Sequence, residues 1–302
     1  MWGITMMDEA ATAFHEGERR AQALAGVVAP SSAFIRAFMT EQHRIFFASL
    51  PYVVLGVLSP DGWPVVTFAT GVPGFLSSPD ETTLCLAWHP ISGDPMVEAI
   101  APGRPMAMLG IEFATRRRNR ANGVILLNDE DGIRMSVRQS FGNCPKYIRT
   151  REATPLLRSP GAVERSPTLD EEARALITSA TTFFVASYAP SSAHGGMDVS
   201  HRGGPAGFVQ VEDDVLTVPD YPGNRYFNTF GNFLENPRAG LLFINFENGD
   251  LLHLTGEASV SWTEVGRSFD VRIREVIRRR AALPLDWTEG PEITAVSPSH
   301  NA

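Results

Sequence analysis

The chain has 302 residues, 43% hydrophobic and 20% charged, which is too apolar for a disordered chain and long enough for two domains or one large one. Its formal charge of −8 and pI near 5.4 speak against nucleic acid or an anionic membrane as partner, because both select basic surfaces. Only Cys85 and Cys144 are present, which excludes a disulfide scaffold and a cysteine-rich zinc site; with no membrane-length apolar run and no basic leader, the expectation is a soluble cytoplasmic protein.

Residues 11–27, with Phe14, Ala21 and Leu24 set among charges, predict an amphipathic helix. A second helix opens with Thr40 as N-cap, runs through His43, Phe46 and Phe47, and is stopped by Pro51. Short apolar runs follow at 53–58, 64–70, 83–88, 106–113, 123–127 and 133–139. Asp61-Gly62 and Asp131-Gly132 supply tight turns between them. One helix is expected in the midst of these strands, around residues 95–101. Six short strands favour a β-barrel over a parallel α/β sheet.

Residues 154–168 hold three prolines, two serines and a glycine and read as a linker. After them the pattern starts again. Leu169-Asp170-Glu171-Glu172 opens a helix as Met39-Thr40-Glu41-Gln42 does, and residues 183–188 repeat 53–58. Gly207-Phe208-Val209 echoes Gly74-Phe75-Leu76, and Leu216/Val218 answer Leu84/Leu86. The run from Pro105 aligns with the run from Pro237, and Asn122-Gly123 with Thr255-Gly256. Order and spacing agree, so two copies of one fold are expected. The division is an N-terminal helical arm (1–38), a first domain (39–153), the linker (154–168) and a second domain (169–302), the last with a helix expected over 272–280.

The densest polar cluster lies in the second half. Asp198-Val199-Ser200-His201-Arg202-Gly203-Gly204 sits between strands. Pro219-Asp220-Tyr221-Pro222-Gly223-Asn224-Arg225 precedes a helix expected over 226–235 that carries Asn228, Thr229 and Asn232. An arginine behind Gly-Asn at a helix start suits an anion, since free backbone N–H groups and a guanidinium converge there. The plain alternative is a capped surface loop with Arg225 solvated or paired to Asp220. The basic run Arg116-Arg117-Arg118-Asn119-Arg120 is either a solvated hairpin or a wall of the same site. Cys144 reads as a buried or ligand-contacting thiol and Cys85 as packing. His201 is the histidine most suited to ligand contact or proton donation, and the other histidines show no metal-ligand spacing.

The segment 218–225, its helix and the run from Asn236 to Phe243 together resemble the flavin-site segment of the pyridoxamine 5′-phosphate oxidase-like flavoproteins. The Asp198–Gly204 segment resembles the preceding strand of that family, and Leu254-Thr255-Gly256-Glu257-Ala258 the strand that closes its barrel. Gly142-Asn143-Cys144-Pro145-Lys146-Tyr147-Ile148 resembles the C-terminal Cys-and-Lys motif of one branch. The resemblance covers most of residues 40–285.

It implies a mainly β fold with flanking helices, built as two tandem split β-barrel domains, and FMN bound at an interface between barrels. Asn224 and Arg225 would hold the FMN phosphate, with Asn228 at the helix start counted beside them. Pro219, Asp220 and Tyr221 would pass along the flavin, and Ser200, His201 and Arg202 would present donors to its ring or ribityl chain. Gln139, Ser140, Asn143 and Cys144 would complete the pocket from across the interface, in a homodimer or an intramolecular pseudo-dimer. In the first half Asp94 stands near the position of the phosphate turn, where a carboxylate repels phosphate, so one flavin per chain is expected. Residues 272–280 and 282–287 do not reproduce the substrate pattern of the vitamin B6 oxidases, so pyridoxamine phosphate is not the expected substrate. The implied function is an FMN-dependent oxidoreductase acting on an unidentified small molecule, with a nicotinamide nucleotide as candidate electron donor. The alternative is a non-catalytic flavin- or haem-binding module.

Overall fold

An unbroken apolar run marks a strand buried on both faces, and β1 (Tyr52–Leu58) is such a strand. Val53, Leu55 and Val57 point into one apolar core while Tyr52 and Val54 point into another. In the computed structural model, which describes residues 13–28, 30–263 and 266–290, that two-sidedness is how two barrels are joined.

The first sheet comprises β1, β2 (Pro64–Thr70), β3 (Leu76–Ser77), β4 (Thr83–Leu86), β5 (Pro105–Glu112), β6 (Arg117–Asp129) and β7 (Gly132–Gly142), ordered β2-β1-β5-β6-β7-β4-β3. Next come β8 (Arg151–Pro155) and β9 (Val163–Ser166). The second sheet comprises β10 (Thr182–Tyr188), β11 (Met197–Gly203), β12 (Gln210–Glu212), β13 (Val215–Pro219), β14 (Arg238–Ile244), β15 (Leu251–Thr263) and β16 (Gly266–Arg279), ordered β11-β10-β14-β15-β16-β13-β12. Adding nine to each strand number of the first order gives the second. The correspondence extends to irregularities: the β6–β7 ladder shifts register at Asn122/Gly123, and the β15–β16 ladder at Thr255/Gly256. The chain is mainly β, and its two sheet bodies are tandem split barrels.

The helices are α1 (Glu16–Leu24), α2 (Glu41–Ser49), α3 (Glu171–Ser179) and α4 (Asn228–Glu235). Thr40 caps α2 by accepting from the His43 N–H at 3.3 Å, and Asp170 caps α3 by accepting from Ala173 at 2.7 Å. No helix among the described residues is long and apolar enough to cross a membrane.

Several expectations change. Residues 272–280 are not a helix: 272–279 end β16, where Phe269, Val271 and Ile273 alternate inward and pair with β13 and β15, and Arg280 begins a turn. Their basic residues at intervals imitate a helical face, and ladder pairing overrides that pattern. Residues 95–101 form turns. The helix expected from 226 starts two residues later, because Phe227 is left-handed. Within 154–168, β9 pairs with β16, and the end of β8 pairs with β17 (Leu285–Glu289). Of the helix expected over 11–27, residues 11 and 12 lie outside the described residues.

Each barrel has its own interior core, and a third apolar core lies between the barrels. Val54, Phe68 and Leu109 of the first barrel meet Phe184, Val199 and Leu242 of the second. Trp287, from β17, lies within 5.4 Å of the Tyr52 ring, 5.5 Å of Phe113 and 5.1 Å of Phe246. At about 1.5–3 kcal/mol for each buried large apolar side chain, this layer holds the barrels together as firmly as a domain core. The N-terminal α1 then crosses α4 of the second barrel at a glycine pair. A Cβ on Gly17 would lie 2.2 Å from the Gly231 carbonyl oxygen, so the backbones touch directly.

Candidate functional site

Side chains two apart on a strand share a face, and β6 uses this to send Arg118 and Arg120 out of the first barrel into a cleft of about 300 Å³. The turn after β7 adds Asn143, Cys144, Lys146 and Tyr147. The opposite wall belongs to the second barrel: Ser200, His201 and Arg202 from β11, the 219–225 loop, Asn228 and Thr229 from the first turn of α4, and Arg267 from β16.

Six cationic side chains and one carboxylate, Asp220, line this cleft in a chain whose net charge is −8. Arg120 is buried; its Nη1 donates to Asp198 at 2.6 Å and to Asn228 Oδ1 at 3.0 Å, and its Nη2 to Ser200 at 2.9 Å. Asp220 is shared by Arg202 at 3.2 Å and Arg267 at 3.0 Å. Arg118 has no carboxylate within reach among the described residues. Its Nε and Nη2 donate to the Cys144 carbonyl at 2.9 and 2.5 Å, and Nη1 donates to His201 Nδ1 at 3.1 Å. Burial, together with the neighbouring Arg120, pushes the Arg118 guanidinium down to about 9.

His201 is 6% exposed. Burial first, then the charges of Arg118, Arg202 and Arg151, holds its pKa well below the ordinary value. The ring is therefore neutral at physiological pH. A guanidinium only donates, so Nδ1 is the acceptor and the ring proton sits on Nε2.

The turn leading into α4 is strained. Arg225 and Phe227 both take left-handed backbone angles, φ 63° and 61°, which cost non-glycine residues about 1–3 kcal/mol and gather at functional sites. Asn224 Oδ1 accepts from the Tyr226 N–H at 3.2 Å, and no side chain caps α4. The first amides of the helix thus remain available to a ligand. Arg225 is exposed and makes no ion pair among the described residues; Asp220 is engaged elsewhere.

Five buried polar atoms on residues lining the cleft have no partner among the described residues: Arg120 Nε, Asn143 Oδ1, His201 Nε2, Arg202 Nε and Thr229 Oγ1. Buried polar groups are normally satisfied. A ligand carrying carbonyl acceptors, an N–H edge, hydroxyls and a phosphate would satisfy this set, and FMN carries all four. The residues fit that group.

Ten of the twelve residues expected at the site line the cleft: Ser200, His201, Arg202, Pro219, Asp220, Asn224, Arg225, Asn228, Asn143 and Cys144. Gln139 and Ser140 do not. Gln139 donates to the Ala13 carbonyl at 3.1 Å, while Ser140 is fully buried, 2.8 Å from His43 Nδ1 and bridged to Arg36. That stretch of β7 is covered by the N-terminal arm. Asn228 lines the cleft, yet both ends of its amide are engaged, accepting from Arg120 and donating to Glu18. Asn232, on the same face, holds Ser187 at 2.9 Å and His15 at 2.8 Å. Nothing in the residues around them marks Arg267, which arrives from β16 some forty residues after the turn, or Glu18 as belonging to the site. Of the basic run, Arg118 and Arg120 face the cleft, whereas Arg116 and Arg117 are exposed.

The duplication implies a counterpart of this cleft, built on the first barrel's loop, and it is closed. Thr255 matches Asn122 at the bulge, so His253 stands where Arg120 does, and Arg279 where Asn143 does. Arg279 donates to Asp94 at 2.5 Å, Thr67 donates to the same oxygen at 2.7 Å, and the Met96 N–H donates to the other at 2.9 Å. About 20 Å³ remains beside His253 and Thr255.

Residues 169–287 match the family model described as pyridoxamine 5′-phosphate oxidase. Among solved structures, an FAD-binding protein from Mesorhizobium loti is 12% identical, with 39% of this chain and 97% of that one covered and a TM-score of 0.29. A HupZ variant from Group A Streptococcus is 12% identical over 36% of this chain and 98% of that one, with a TM-score of 0.29. The heme storage protein HutZ from Vibrio cholerae is 13% identical over 37% and 95%, with a TM-score of 0.25. No curated protein matches the chain.

Proposed function

Because its second barrel is a pyridoxamine 5′-phosphate oxidase-like domain, we propose that this chain is an FMN-dependent oxidoreductase acting on a small molecule in the cytoplasm. The observation that carries this reading is the turn at Arg225: a cation without a carboxylate, held left-handed before an uncapped helix. Arg225, Asn224 and the first amides of α4 bind the phosphate. Ser200 and the Nε2–H of His201 orient the ring and the ribityl chain, with Arg202 beside them. Barrel one supplies the facing wall through Arg118, Arg120, Asn143 and Cys144, so one chain completes the site.

Bound FMN supplies the capacity to accept and pass on electrons, and the protein's part is binding, orientation and local charge. Burial, helped by the charge of Arg118, keeps His201 neutral, so His201 can donate a hydrogen bond from Nε2 but carries no charge. Arg120, fixed by Asp198, Ser200 and Asn228, keeps its guanidinium in place without a ligand. Tyr147 and Tyr221 stack at 5.2 Å across the rim, and the Tyr147 hydroxyl donates to the Pro222 carbonyl at 3.2 Å, which limits water entry on that side. A nicotinamide nucleotide is the proposed electron donor.

The second reading, a binding module without turnover, separates on one measurement. The purified protein is examined by visible absorption before and after anaerobic NADH or NADPH. Flavin bands that bleach support the enzyme. Flavin bands that persist with both nucleotides favour the module, a Soret band favours haem, and a colourless protein that takes up no added FMN overturns both flavin readings. The six cationic lining residues suit a phosphorylated, polar cofactor better than a porphyrin, whose faces need apolar cover.

A further inference from the structure

Charge in the cleft does not balance with a phosphate alone. Asp198 answers Arg120, and Asp220 answers Arg202 and Arg267 together. Arg118, Lys146 and Arg225 are left without a carboxylate among the described residues. Arg225 and Lys146 are exposed and remain hydrated, and Arg225 is assigned to the cofactor phosphate. Arg118 is in a different position: half-buried, carried by the opposite barrel, and bonded among the described residues to neutral acceptors, the Cys144 carbonyl and His201 Nδ1. A partly desolvated cation among neutral partners calls for a counter-anion.

Arg118 retains N–H groups, since a guanidinium has five and three are spent. We propose that Arg118 is the substrate's anchor and that it takes a monoanionic carboxylate on these remaining N–H groups. A single unpaired arginine matches one negative charge, whereas a phosphate dianion leaves an excess. The Tyr147–Tyr221 pair lines the same cleft and favours a planar body attached to the carboxylate. The assignment rests on the flavoprotein reading, because the substrate is taken to share the cleft with FMN.

The test uses FMN-loaded protein with benzoate as probe and benzamide as its neutral counterpart, followed by the visible flavin spectrum and by calorimetry. Benzoate is expected to perturb the spectrum saturably and to release heat, and benzamide at equal concentration to do neither. Inorganic phosphate added to the loaded protein is expected to bind roughly tenfold or more weakly than benzoate. Arg118→Met should weaken benzoate by about tenfold or more. Arg165→Ala, whose side chain pairs with Glu275 away from the cleft, should leave the benzoate response in place. FMN uptake with equal binding of benzoate and benzamide overturns the proposal without touching the cofactor assignment, and so does an Arg118→Met protein that binds benzoate normally. Phosphate binding more tightly than benzoate overturns the carboxylate. Failure to take up FMN at all is instead the failure of the flavoprotein reading. The benzoate–benzamide comparison needs no variant, so it stands even if Arg118→Met does not fold.

Discussion

Arg279 and Asp94 form an ion pair at 2.5 Å with side chains 5% and 1% exposed, in the place where the duplication would put a second cofactor. Asp94 lies between β4 and β5 as Arg225 lies between β13 and β14, but its carboxylate is occupied by a guanidinium from the other barrel. The site is filled from within. Saturated protein is therefore expected to carry one FMN per chain, measured as the ratio of released flavin to protein. Asp94→Asn leaves Arg279 buried without its counter-ion and should cost about 3–5 kcal/mol in urea unfolding. A ratio of two, or an unchanged midpoint, would contradict the closure.

Arg225→Ala should weaken FMN by about 1.5–3 kcal/mol, the loss of a charge-assisted contact with phosphate. Riboflavin, which lacks the phosphate, should bind both proteins equally. Arg165→Ala serves as control, since Arg165 pairs with Glu275 at 3.1 Å, away from the cleft. Equal FMN affinity in wild type and Arg225→Ala, by fluorescence titration, would move the phosphate elsewhere.

The contact between α1 and α4 is expected to matter for both stability and the site. A Cβ on Gly231 would fall 2.5 Å from the Glu18 backbone nitrogen, so Gly231→Ala must displace α1. The cost is about 1–3 kcal/mol of strain, set against about 1 kcal/mol of helix propensity gained. Displacement also frees Asn228 from Glu18, and Asn228 helps to fix Arg120. FMN affinity should fall together with the melting temperature, and a fall in neither would show that α1 is incidental.

Glu18 gives a pH dependence. Burial pushes its carboxyl from the ordinary 4.5 up to about 7. The folded state then keeps a proton that the unfolded chain releases between those values. This group's contribution is therefore most favourable below about pH 4.5 and is lost as pH rises towards 7. Glu18→Gln removes the titration while losing one of two accepted hydrogen bonds at every pH. Its stability relative to wild type should rise from about pH 5 to about pH 8, by roughly 3 kcal/mol at most. His201 and His253 are held neutral by burial and give the opposite slope, lost as pH falls below about 6.5. They are common to both proteins and cancel in the difference. A difference constant across the range would refute the shift.

What was readable in the sequence was whatever repeats or stays local. The paired barrels were legible because each strand of one half has a counterpart of the same polarity, down to Asn122-Gly123 and Thr255-Gly256. The turn at Asn224-Arg225 was legible because glycine, asparagine and arginine stand together before a helix. Partners brought in from afar were not. Arg267 and Glu18 reach the site region through ladder register and helix crossing, which leave no mark in the neighbouring residues. Gln139 and Ser140 were placed by their nearness to Asn143, but the N-terminal arm covers that part of β7. Residues 272–280 misled because spaced arginines fit a helical face and an edge of a ladder equally well.

Carrying both walls of the cleft on one polypeptide has a consequence for how the site has been free to change. In a symmetric pair of identical chains every substitution is made twice, once on each side of the two-fold axis. Here Asp94 could appear on one side while Arg225 stayed on the other, so the halves specialise separately. Dilution cannot part them either: occupancy should depend on the concentration of ligand and not on that of the protein.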